Sequence, residues 1–206
     1  FKHVNTNSTG AENSDDSPYG LSAFSSNGFT IGTGGDVNGS SATQVAWCWK
    51  MGTTSGIGGS PSITPSGYSF SATAKQSIIA YTGTGSEATL PHGLGVTPDM
   101  LITKIRVGGT FQWAVYHHKN TSAPETDYLY LNTTDATTDD VNLWNDTAQD
   151  SSVFTVYTSN RNNKSSGTYV AYCFASVQGF SKFGSYKGNG NADGTFVYTG
   201  FRPAWL

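Results

Sequence analysis

Charge is scarce in this chain. Asp, Glu, Lys and Arg together make up only 12% of it, the net charge is −3, and no basic run occurs. Nucleic-acid binding through phosphates needs a basic face, so no nucleic-acid partner is expected. Runs of Ala, Leu, Glu and Lys are also missing, which removes the basis for long helices. No apolar stretch approaches the ~18 residues of a membrane-spanning helix, so no membrane insertion is expected. There is no Gly-x-Ser-x-Gly elbow and no phosphate-cradling loop. No cofactor is expected and no enzyme activity is assigned.

Aromatic residues are plentiful at 13%, more than a disordered chain carries. Short runs of Val, Ile, Thr, Tyr, Phe and Trp lie between Gly, Asn and Ser clusters, the pattern of strands and turns. Strands are expected at Phe29–Ile31, Ala42–Lys50, Gln76–Thr82, Pro98–Val107, Phe111–Tyr116, Tyr128–Leu131, Val153–Thr158 and Thr168–Ala175. About six of these fall within roughly 100 residues, which suits a small sandwich.

The chain repeats itself. Thr43-Gln44-Val45-Ala46-Trp47-Cys48-Trp49 returns as Thr168-Tyr169-Val170-Ala171-Tyr172-Cys173-Phe174, at an offset of 125. Phe29-Thr30-Ile31, Asn38 and Ser40-Ser41 return at the same offset as Phe154-Thr155-Val156, Asn163 and Ser165-Ser166. A second echo, at an offset of 105, relates Tyr81-Thr82-Gly83-Thr84-Gly85 to Tyr186-Lys187-Gly188-Asn189-Gly190. Such periodicity is the mark of a repeat architecture.

The expected fold is all-β, with two tandem β-sandwich, jelly-roll-like modules related by the repeat. Residues 1–75 read as the second half of a first module, followed by an inserted Gly/Ser/Thr/Pro-rich loop over Met51–Ala74. Residues 76–179 read as a complete module. Residues 180–206 read as the start of a following one, or as strands completing the first. The internal match runs on past Pro203-Ala204-Trp205-Leu206, so the chain reads as a segment of a longer tandem array; a permuted pair with closed ends is the alternative. Asp15-Asp16 and Ser17-Pro18 read as a surface connection.

Val45, Trp47, Cys48, Val170, Tyr172 and Cys173 are the expected structural core of the two equivalent strands. Cys48 and Cys173 hold the same position in two modules, so each is expected to fill its own core as a free thiol.

Few residues invite a chemical role. Adjacent strand residues face opposite ways, so His117-His118 is a poor metal pair. His92 sits in a turn-rich segment and reads as a satisfied loop residue. Asn189-Gly190-Asn191-Ala192-Asp193-Gly194 resembles the opening of a calcium loop, but the closing acidic residue is missing and a hairpin turn is the simpler reading. Asp139-Asp140, and Glu125 with Asp127, supply carboxylates of the kind that cleave glycosides, yet they lie among polar loop residues. Six Asn-x-Ser/Thr sequons occur, at Asn7, Asn38, Asn120, Asn132, Asn145 and Asn163, as chance produces in such a composition. Trp113, Tyr116 and Trp144 lie nearer loops; core packing is the preferred reading, and they are weak candidates for stacking on a sugar ring.

Several segments together resemble one family. They are Gly93–Ile102, Trp113-Ala114-Val115-Tyr116-His117, Tyr128–Thr134, Thr168–Ala175, Ser181–Gly190 and Phe196–Trp205, with Ser26–Gly32 and Val45–Lys50 in the first half. The resemblance is to a tandem β module of large virion proteins of tailed phages, many of them from marine bacteria and cyanobacteria. It implies a structural role in a tail fibre or another exposed appendage of the virion. It further implies contacts with other virion proteins and with copies of itself, commonly as a trimer, and adhesion to a host surface glycan. It supplies no catalytic residues. A carbohydrate-binding module and a glycan depolymerase are the alternative readings.

Overall fold

The computed structural model describes residues 2–14 and 19–204. Asp15, Asp16, Ser17 and Pro18, read above as a surface connection, lie outside the described residues, as do Trp205 and Leu206.

Among the described residues the fold is all-β, with two helices of a single turn. In chain order the elements are β1 (Lys2–His3), β2 (Asn13–Ser14), β3 (Leu21–Ser25), β4 (Gly28–Ile31), α1 (Gly35–Asn38), β5 (Gly67–Ser71), β6 (Gln76–Thr82), β7 (Ala88–Pro91), β8 (Met100–Val107), β9 (Ala114–His117), β10 (Asp127–Tyr130), β11 (Thr138–Asp139), α2 (Val141–Trp144), β12 (Val153–Val156) and β13 (Thr168–Phe174). Seven strands form one antiparallel sheet in the order β11-β10-β9-β8-β13-β6-β5. Short ladders β12-β7, β3-β4 and β1-β2 make up the remainder.

β13 is the spine of the sheet. Its neighbours are β6, with Tyr169 opposite Tyr81, and β8, with Tyr169 opposite Ile105. Strands buried on one face alternate apolar and polar residues, whereas strands covered on both faces read as continuous apolar runs. β13 belongs to the second kind. Tyr169, Ala171 and Cys173 point into the core with Ile79, Tyr81, Leu101 and Ile105. Leu90, Phe154 and Val156 of the β7–β12 ladder, with Leu143 and Trp144 of α2, join the same cluster. Fully burying one such side chain contributes about 1.5–3 kcal/mol, so this cluster is the main source of stability.

The opposite face of the sheet is covered by residues 2–14. The Trp113 indole donates to the Asn5 carbonyl at 3.1 Å and the Ser8 carbonyl at 3.2 Å. Lys104 is fully buried and donates to the carbonyls of Thr9 and Phe111, both at 2.8 Å. Glu12 pairs with Arg106 at 2.5 Å and with Lys2 at 2.8 Å, and its amide donates to the Arg106 carbonyl. A buried ammonium without partners would be costly, and here two carbonyls and the Trp113 ring, 5.9 Å away, receive it.

Three expectations change. Residues 43–50 form no strand, and Val45, Trp47 and Cys48 are exposed. A strand is a property of its neighbours: β13 lies between β6 and β8, and among the described residues no ladder includes 43–49. Second, the Gly/Ser/Thr/Pro-rich stretch 51–74 is more than a loop. It carries β5, which pairs with β6 through Tyr68 opposite Ile79, and it places Ile63 in the core. Third, the aromatic segment expected over Phe111–Tyr116 begins its ladder only at Ala114.

Over residues 28–42 and 153–167 the local hydrogen bonds of the two copies agree. β4 and β12 occupy equivalent positions. Asn38 donates its amide to the Gly34 carbonyl, and Asn163 donates to the Ser159 carbonyl. Ala42 donates to Gly39 as Gly167 does to Lys164, each at 3.0 Å. Ser41 and Ser166 share a left-handed φ of 62°.

Candidate functional site

The three aromatics singled out for sugar stacking are structural. Trp113 is 2% exposed, Tyr116 4% and Trp144 0%, so none offers a ring face to solvent. Trp113 is roofed by residues 5–9 and stacks on Tyr172 at 6.3 Å. Tyr116 meets Trp144 edge-on, and the Trp144 indole donates to the Asp127 carbonyl at 3.2 Å. Of the core residues expected in the second copy, Val170 and Cys173 are buried, and burial pushes the Cys173 thiol up to about 12. Tyr172 is half-buried on the outer face. Both cysteines are free thiols.

The histidines and carboxylates are spent on local structure. His92 is fully buried, its Nδ1 accepting from the Leu94 amide and its Nε2 facing the Asp150 carbonyl, each at 3.2 Å. Burial holds its pKa below the ordinary value, against a smaller opposing pull from Asp150. His118 Nδ1 lies 3.1 Å from Asp99 and its Nε2 faces the Phe183 carbonyl, while His117 accepts from the Lys119 amide. Among the described residues no group of three His, Cys, Asp or Glu side chains could hold a metal ion. The Asn189–Gly194 stretch is a turn: Asn189 donates to the Asp193 carbonyl and accepts from the Asn191 amide. Glu125 is half-buried, and Asp127 lies opposite Asp139 in the β10–β11 ladder and accepts from the Thr121 hydroxyl. Asp140 caps α2, its Oδ1 accepting from the Asn142 amide at 3.0 Å and from Asn142 Nδ2 at 2.7 Å.

Besides a glycine-lined recess of about 180 Å³ beside Phe70 and Ser152, two larger concavities are found among the described residues. The first, about 340 Å³, lies on the outer face of the sheet between residues 2–4 and β5. Ile78, Ala80, Val170 and Tyr172 form its floor, with Tyr68 and Arg106 on its flanks. Burial alone would raise the Glu12 pKa, but hydrogen bonds from Arg106 and Lys2 outweigh it and hold the carboxyl below its usual range. Arg106 is therefore committed to fastening the N-terminal segment, and this groove is the seam beside that segment.

The second is a polar cleft of about 300 Å³ where three loops meet. The β8–β9 loop brings Phe111, the start of α2 brings Asp140 and Asn142, and the loop after β12 brings Thr158 to Arg161. Arg161 lies over the rings of Tyr128 and Tyr130, at 5.5 and 5.4 Å. Burial pushes the Tyr130 hydroxyl up to about 12, helped by its bond to Tyr128 and opposed by Arg161. Of these residues, only Asp140 stood out in the sequence, as one of two adjacent acids. The others are ordinary polar residues far apart along the chain.

Taken together, the molecule is an all-β domain with one large antiparallel sheet, an aromatic core and loops closed by side-chain amides. The chain belongs to the family described as Domain of unknown function (DUF7483), which matches residues 1–206. No curated protein and no solved structure matches it.

Proposed function

We propose that this chain is a structural segment of a tailed-phage virion appendage, a tail fibre in the first instance, built from tandem β-sandwich modules. One observation carries the reading: residues 2–14, which the repeat assigns to a preceding module, are bonded across the outer face of the sheet. The contact runs through Trp113, Lys104 and Arg106. Tandem rods hold together through such nearest-neighbour contacts. The matching hydrogen bonds of residues 28–42 and 153–167 support two modules of one kind. Low charge and an exposed surface rich in Ser, Thr and Asn fit an extracellular particle.

An image of the assembled particle at chain-tracing resolution tests this. The expected outcome is repeated sandwiches in a symmetric projection, copies of the chain packed side by side. A lone closed monomer, absent from any particle, would overturn it.

A further inference from the structure

We propose that the polar cleft lined by Phe111, Asp140, Asn142, Thr158, Asn160 and Arg161 binds one neutral hexose ring of a glycan. This goes beyond the virion reading and does not depend on it, since the cleft lies within the module itself.

The chemistry of the lining selects the ligand. Its volume, about 300 Å³, is at the lower end of small-ligand sites. A carboxylate, two side-chain amides and a guanidinium are planar groups that each present two polar atoms. Neighbouring ring hydroxyls both donate and accept, so they need a wall of mixed donors and acceptors. Asp140 and Arg161 balance in charge, which favours a neutral ring over an acidic sugar. The C–H face of a pyranose needs an apolar platform, and Phe111 supplies one. Its half-buried ring lies against Gly109, where a Cβ would come within 2.4 Å of the ring.

The polar groups are fixed but not saturated. Asp140 spends Oδ1 on Asn142, while Oδ2 stands 3.8 Å from Arg161 Nη1, too far for a hydrogen bond. The Arg161 guanidinium is held in place by its two tyrosine rings, with Nη1 on the side of Asp140. Asn142 Oδ1 accepts from the Thr158 hydroxyl at 2.8 Å, which sets the amide's orientation. The arrangement is thus preorganised for hydroxyls that bridge Asp140 and Arg161. Glycoside cleavage by the two-carboxylate route needs a second carboxylate about 5–10 Å from the first. Asp140 is the single carboxylate among the lining residues, so the site binds and does not cut.

The test is a titration of the full ¹⁵N-labelled chain with methyl mannoside, galactoside and glucoside, and with sialic acid as the acidic comparator, followed by amide shifts. At least one neutral hexoside is expected to saturate in the millimolar range, with shifts centred on Asn142, Asn160 and Arg161. Asp140→Asn keeps a good helix cap, so it is expected to fold normally and to weaken binding about tenfold or more. Asn160→Ala, at an exposed position, provides a second variant with the same expected direction. The proposal is overturned if no neutral hexoside saturates, if only sialic acid does, if the shifts centre elsewhere, or if both variants bind as the parent does.

Discussion

Asn38 and Asn163 make the same hydrogen bond in two copies of one motif. Each side-chain amide donates to the carbonyl six residues earlier, Gly32 at 2.9 Å and Tyr157 at 2.6 Å. Their surroundings differ. Asn163 is fully buried, also donates to the Ser86 carbonyl, and accepts from the Thr84 amide at 2.8 Å, while Asn38 is exposed. Asn163→Ala is therefore expected to cost about 2–4 kcal/mol, because a fully buried side chain loses three hydrogen bonds to part-buried backbone groups of Thr84, Ser86 and Tyr157. Asn38→Ala is expected to cost under about 1 kcal/mol. Denaturant unfolding of both variants measures the contrast, and equal losses would contradict it.

Gly83 packs against the same Asn163 loop. A Cβ there would meet the Lys164 carbonyl at 2.4 Å and the Asn163 backbone carbon at 2.9 Å. Backbone atoms cannot swing aside as a side chain can. Gly83→Ala is expected to destabilise by about 2–4 kcal/mol, read as a lower melting temperature. Gly58→Ala, where nothing lies within 4 Å, is the control and is expected to melt close to the parent.

The N-terminal segment is fastened by Trp113. Trp113→Phe keeps most of the buried ring but removes the indole donor shared by Asn5 and Ser8. The expected cost is about 1–2 kcal/mol, concentrated in residues 2–14. Hydrogen exchange at the Glu12 amide, which donates to the Arg106 carbonyl, is expected to accelerate about tenfold. Unchanged exchange there would show that the segment is held by other contacts.

Acid is expected to weaken the fold through His92. Its folded pKa lies below the ordinary value because burial disfavours the cation, so the fold binds the neutral ring. That stability is whole above about pH 6.5 and is lost as pH falls through the lower folded pKa. His117, also lowered by burial and by His118, pulls in the same direction. His92→Gln is expected to flatten the dependence of melting temperature on pH between about 7 and 5 without abolishing it. An unchanged slope would sink the assignment.

The two cysteines should report opposite environments. Cys48 is exposed and is expected to react promptly with a thiol reagent, while Cys173, fully buried, is expected to react only on unfolding. Cys48→Ser should remove the fast phase entirely. A fast phase that survives in this variant would mean that β13 opens in the native protein.

How much of this was legible in the sequence depends on whether a feature is local. The strand read over Gln76–Thr82 is β6 without correction, and Thr168–Ala175 contains β13, because long apolar runs dictate strands wherever partners exist. Thr43–Trp49 carries nearly the same pattern and stays irregular, since the pattern cannot supply neighbours. β5 was hidden because Gly67, Ser69 and Ser71 alternate with just two aromatics, Tyr68 and Phe70, inside a linker-like composition. The cleft was hidden for a different reason. Phe111, Asp140 and Arg161 come from three separate loops, and only the closed fold brings them to one place.

The order of strands in the sheet has a consequence for synthesis. β13 lies inside the sheet, between β8 and β6, and yet it is the last of the seven strands to leave the ribosome. Until Phe174 has emerged, β6 and β8 stand as apolar edges separated by an empty lane. Non-local pairing of this kind folds slowly and leaves sticky edges exposed meanwhile. The nascent chain is thus most prone to aggregation after β8 appears, and that exposure ends when a single strand of seven residues closes the gap from both sides.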